Sequence, residues 1–193
     1  MQVRTVMNQR QNSRNREALQ VRRMTYSALF LAIAMVLPFI TGQIPEIGRM
    51  LSPMHIPVLL CGFMCGWPWG IAVGFIAPLL RSVMFGMPAM FPAAVAMAFE
   101  LAAYGGISGW LRRKLPGDKW LIYPILLISM AAGRIVWGTV RLLLSGLSGT
   151  AFTWEMFMIG AFAEALPGII LHIVLIPVLV IVMETAGLSL NRK

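Results

Sequence analysis

Six apolar runs, at about 24–41, 53–66, 69–86, 92–111, 120–144 and 155–183, take up most of this 193-residue chain. A helix rises about 1.5 Å per residue, so about 20 residues cross a hydrocarbon core about 30 Å thick. Most of the runs have that scale. Hydrophobic residues make up 59% of the chain and charged ones 12%, against roughly 45–50% and 25% in soluble domains, so a water-exposed surface is excluded. The runs are continuous rather than alternating, which argues against a barrel of strands, the other way to satisfy backbone groups in lipid. The sequence therefore predicts an all-α membrane protein with six transmembrane helices. Residues 1–23 form a basic tail, 24–185 the membrane domain and 186–193 a short C-terminus, which leaves no stretch for a soluble catalytic domain.

The formal net charge of +9 raises the question of nucleic acid, and the placement of the charge answers it. Six of the sixteen basic residues, Arg4, Arg10, Arg14, Arg16, Arg22 and Arg23, sit in a polar tail without aromatics to stack on bases. The tail is expected to be a largely flexible cytoplasmic anchor, and no nucleic-acid partner is expected. The run from Met24 to Ile40 is too long for a cleaved signal peptide. With both termini cytoplasmic, twelve basic residues fall inside and only Arg49 outside, as the positive-inside rule asks. The second run is short, but dropping it would move the basic Arg112–Lys119 loop outside, so the charge bias keeps it. Trp67, Trp69, Trp110, Trp120 and Trp154 fall near the expected interfaces.

Ionisable residues inside the spans carry the functional signal, because each costs a few kcal/mol there and needs a partner or a water-lined cavity. They are Arg81, Glu100, Arg134, Arg141, Glu164 and His172. Counting along each helix puts Arg81, Glu100, Arg134, Arg141 and Glu164 in the outer half. Arg134 and Arg141, seven apart, share one helix face. Three cations against two carboxylates leave room for an anionic or zwitterionic ligand, with mutual pairing that only orients helices as the competing reading. These five are the candidate binding residues: Arg134 deepest, Arg141 a guide nearer the mouth, and Arg81 alternatively a structural partner for Glu100. Gly160, Glu164 and Gly168 fall on one face of the sixth helix, which gives the acid room to be approached closely by a neighbour or ligand. His172, two turns deeper and lone, reads as a packing residue or one that supports a ligand-contacting neighbour, rather than as a metal ligand. Residues 42–52, with Pro45, Gly48, Glu46 and Arg49, read as an outer lid loop. Cys61 and Cys65 read as small packing residues, and no metal or cofactor is expected.

Two quartets, Gly106-Ile107-Ser108-Gly109 and Gly146-Leu147-Ser148-Gly149, look like the GxSG of rhomboid intramembrane proteases. Ser148 falls in an outer loop far from His172, and Ser108 lies near an inner helix end, so helix-end punctuation is the better reading and no enzyme is expected. There is no GxxxxGK[ST], hence no ATPase in the chain itself.

The pair Ala28 and Ala32 and the run Pro53-Met54-His55-Ile56-Pro57-Val58-Leu59-Leu60-Cys61-Gly62 come before Gly66-Trp67-Pro68-Trp69-Gly70. Together they resemble the substrate-binding S component of energy-coupling factor (ECF) transporters. The stretches Gly74-Phe75-Ile76-Ala77-Pro78-Leu79-Leu80-Arg81 and Ala96-Met97-Ala98-Phe99-Glu100 are similar to its riboflavin and pantothenate-like branch. The resemblance implies uptake of a vitamin or vitamin precursor across a bacterial plasma membrane. It also implies two kinds of partner, a transmembrane coupling subunit docking at Ala28 and Ala32, and two ABC ATPases. The alternatives are an autonomous ion-coupled carrier and, more distantly, an intramembrane hydrolase.

Overall fold

A computed structural model describes residues 2–40, 51–148, 153–160 and 165–191, and among these the chain is helical with no strand. Helix α1, Gln2–Ile40, runs for 39 residues. The sequence reading expects a flexible tail before Met24, yet residues 2–23 continue the helix. No glycine or proline interrupts the chain before Pro38, and extending an existing helix avoids the unfavourable nucleation step.

Helix α2, His55–Cys65, is apolar on every side and all 11 of its residues are buried. A helix without a polar face belongs in the middle of a bundle. Next come α3, Trp67–Phe85, a wide turn over Met90–Ala94, and α4, Val95–Lys114. A single 3-10 turn, Lys119–Leu121, leads into α5, Ile122–Ser148. The last elements are the short α6, Trp154–Met158, and α7, Leu166–Thr185.

Among the described residues five helices are long and apolar enough to cross a membrane; α2 and the short α6 are not. The length of α2, about 16 Å, covers only half a bilayer core. The expected sixth helix over 155–183 is described as α6 and α7. Pro167 stands in the first turn of α7, where its missing N–H costs nothing. Gly168 therefore belongs to α7, while Gly160 precedes it.

Glycines set the closest approach in the bundle. A Cβ on Gly70 of α3 would run into the Gly105 carbonyl of α4, a Cβ on Gly105 would run into Gly70, and Gly74 lies as tightly against the Leu101 backbone. Replacing Gly70 by Val is expected to cost about 1–3 kcal/mol by overpacking against an immovable backbone. A lowered unfolding midpoint in detergent checks this, and Gly146→Val, with open space around it, is the silent control.

Contacts also sort the helix ends. Arg23 of α1 donates to the Leu190 carbonyl beyond α7 (2.6 Å), and the Leu190 N–H donates to Met64 near the end of α2 (2.8 Å). Arg112, near the end of α4, donates to the Asp118 carbonyl just before α5 (3.2 Å). The start of the apolar part of α1, the ends of α2, α4 and α7, and the starts of α3 and α5 thus lie at one end, here the basic end. At the opposite end Phe39 of α1 meets Phe85 of α3 edge to face at 5.0 Å.

Candidate functional site

Glu100 sits twelve residues before Arg112 on α4, about 18 Å from the basic end, and is 1% exposed. Its Oε1 accepts the Tyr104 hydroxyl at 3.0 Å and the Arg134 Nη1 at 3.1 Å. The His55 Nε2 stands 3.7 Å from the same oxygen, beyond ordinary hydrogen-bond range. His55 in turn stacks on His172 of α7, with ring centres 5.8 Å apart, and tilts against Tyr104 at 5.2 Å. Four helices, α2, α4, α5 and α7, thus bring five polar side chains together in an apolar bundle.

Local sequence explains the meeting. Tyr104 is one helical turn after Glu100, so both face the same neighbour. Gly133, the residue before Arg134 on α5, leaves the space its ring fills, since a Cβ there would collide with the ring. His55 is the first residue of α2, where the chain arrives from the 41–50 segment. The backbone of Ser52, three residues earlier, hydrogen-bonds the His172 ring.

Among the described residues, both ring nitrogens of His55, the Nε2 of His172 and the Nε of Arg134 have no hydrogen-bond partner, though each is buried. Such groups cost about 1–3 kcal/mol each when left unsatisfied. The cluster is therefore chemically unfinished, with donors and acceptors available to something that enters it.

The other expected residues are placed differently. Arg141 lies over the Trp137 ring at 5.9 Å, and Trp137 stacks on Phe157 of α6 at 6.2 Å, so this contact is aromatic rather than with Glu100. Arg81 does not neutralise Glu100. Buried on α3, it donates to the Met35 carbonyl of α1 at 2.7 Å and lies between the rings of Phe39 and Phe85. Glu164, Glu46 and Arg49 lie outside the described residues.

Sequence reasoning missed His55 and Tyr104 and read His172 as isolated. The available signal was His55 standing beside two prolines at a helix start. Arg112 was counted as a loop charge, but it forms a buried ion pair with both Glu184 oxygens at 2.7 Å. Ser108 is fully buried and donates to the Gly105 carbonyl at 3.3 Å, which removes it as an exposed nucleophile. Among the described residues no group of three metal-ligating side chains gathers.

The family of ECF transporter substrate-specific components has a model that matches residues 22–180. The chain belongs to that family. It is a membrane transport protein, the substrate-specific component of an ECF transporter, and such components work with the membrane-embedded ECF module rather than as enzymes. No curated protein and no solved structure matches it.

Proposed function

We propose that this S component captures a vitamin or vitamin precursor, of the riboflavin and pantothenate-like branch, from outside a bacterial plasma membrane. The observation that carries the binding reading is the convergence on Glu100 of Arg134, Tyr104, His55 and His172 from four helices. Their unsatisfied nitrogens are the groups a ligand would complete. Arg141 is the guide two turns further along α5, and Glu164 is assigned to the same site. Arg81 is a structural residue that ties α3 to α1.

The basic end is assigned to the cytoplasm, with Arg22, Arg113, Lys114 and Lys119 exposed there. Six crossings are favoured by the bond between Arg23 and Leu190, because it holds the start of the first span and the end of the last at one face. The short α2, with the residues before it, then makes the second crossing.

Ala28 and Ala32, both exposed on α1, are assigned to the coupling subunit, which works with two ATPases. The family reading does not favour an autonomous ion-coupled carrier, which would transport without those partners.

Titration with a panel of vitamins and precursors, read by intrinsic tryptophan fluorescence, tests the function, since Trp137 stands beside Arg141. A saturable change with one compound is expected, and no response across the panel would remove the vitamin reading.

The segment containing Glu46 and Arg49 is assigned as an outer lid. An impermeant thiol reagent should label Glu46→Cys from outside, and bound ligand should slow the labelling. The native Cys61 and Cys65 are buried and do not compete. Labelling only after permeabilisation would reverse the topology.

A further inference from the structure

The residues after α7 fold back across the basic end instead of trailing into solvent. Gly187, with φ +72°, makes the turn: its N–H donates to the Glu184 carbonyl at 3.1 Å and the Leu188 N–H to Met183 at 3.0 Å. Glu184 itself is pinned to α4 by Arg112. Beyond the turn, Leu190 and Asn191 are only 6% and 5% exposed. Leu190 donates its N–H to Met64 of α2 and accepts from Arg23 of α1, while the Asn191 side chain donates to the Gly109 carbonyl of α4 at 3.0 Å. The family match ends at residue 180, so Glu184, Leu190 and Asn191 lie beyond it.

Arg23 is the α1 end of this circuit, and its position on the helix matters. At about 100° per residue, Ala28 is turned about 140° from Arg23 and Ala32 about 180°. A bond that keeps Arg23 inward keeps the alanine pair outward.

We propose that residues Leu188–Asn191 are a positioning clasp for the partner-docking face of α1. By holding Arg23 against α2 and α4 they fix the rotation of the helix, and with it the direction in which Ala28 and Ala32 face. This rests on the reading of that pair as the coupling-subunit contact.

The test uses the full chain in lipid nanodiscs and measures affinity for the purified coupling module beside affinity for the ligand found by the panel. Arg23→Ala and Asn191→Ala should each weaken module binding about tenfold, the scale of a charge-assisted or buried hydrogen bond. Ligand affinity, the control for folding, should stay unchanged. Arg23→Lys, which still donates, should recover part of the loss. Arg22→Ala, removing an exposed neighbouring charge, should have no effect. In a double-mutant cycle, Arg23→Ala and Ala32→Val should be non-additive, because a misdirected face has less to lose.

Equal losses from Arg22→Ala and Arg23→Ala would overturn the clasp in favour of a general charge effect, and additive losses would overturn the aiming mechanism. If Ala28→Leu with Ala32→Leu abolishes module binding while Arg23→Ala and Asn191→Ala do not, the clasp fails and the docking face stands. If the alanine pair tolerates leucine, the docking reading itself has failed.

Discussion

Replacing Ala28 and Ala32 together by Leu is expected to abolish assembly with the coupling module, and transport with it, while ligand affinity stays as in the native chain. The expectation rests on which side of α1 each residue occupies. Ser27, Phe30 and Ala34 are buried toward the bundle, and Ser27 meets the Cys61 thiol of α2 at 3.5 Å. Ala28 and Ala32 are exposed, among Leu29, Ile33 and Val36, which are 57%, 40% and 60% exposed.

Without a hydrophobic drive between helices in lipid, association depends on close backbone approach over small residues. Two alanines one turn apart provide a flat strip, and two leucines put branched side chains where the partner backbone would lie. Because the strip points away from the fold, the substitution adds no collision inside the chain. Co-purification with the module and uptake by proteoliposomes measure the effect. Loss of ligand binding together with assembly would mean that the strip packs internally.

How much of this could be read from the sequence follows the range of each signal. Hydropathy is local and strong, and it located α3, α4 and α5 within a few residues. It could not decide α2, whose 11 residues are too few to cross alone. Its place in the bundle is fixed by bonds among distant parts of the chain, Arg23 with Leu190 and Leu190 with Met64.

Charge inside a span was also legible, so Glu100 and Arg134 stood out as intramembrane charges, and the structure pairs them. Which cation meets which carboxylate was not legible, because depth along a helix says nothing of its rotation. Arg81 and Arg134 stood at comparable depth, yet one faces α1 and the other α4. The histidines escaped because a lone ring inside a span resembles packing until its neighbour is known, and His55 and His172 are separated by most of the chain. Arg112 and Glu184 escaped for the opposite reason. A loop arginine and a helix-end glutamate look solvated, and only the fold shows that they bury one another.

Arg134→Ala is expected to weaken ligand binding at least about tenfold, and by roughly a hundredfold or more if its full share of a buried charge pair, about 3–5 kcal/mol, is expressed in binding. Among the described residues its guanidinium is the only arginine or lysine group within 4 Å of Glu100, and it uses Nη1 for that contact, leaving the buried Nε without a partner there. A planar fork with one edge on a carboxylate can offer its other edge to an acceptor on the ligand.

The competing account is that Arg134 and Glu100 only orient α4 and α5, and the single variant does not separate the two, since it leaves a carboxylate buried without its cation. The double variant Arg134→Ala with Glu100→Gln does. It removes both charges, so the unfolding midpoint in detergent should recover most of what Arg134→Ala loses. Under the orienting account, ligand affinity would recover with it. Under the binding account, affinity stays at the level of the single variant although the fold is restored, because the donor the ligand needs is still missing. Lys119→Ala, an exposed charge at the basic end, should leave both measurements unchanged. Recovery of stability and affinity together in the double variant would therefore move the binding site away from Glu100.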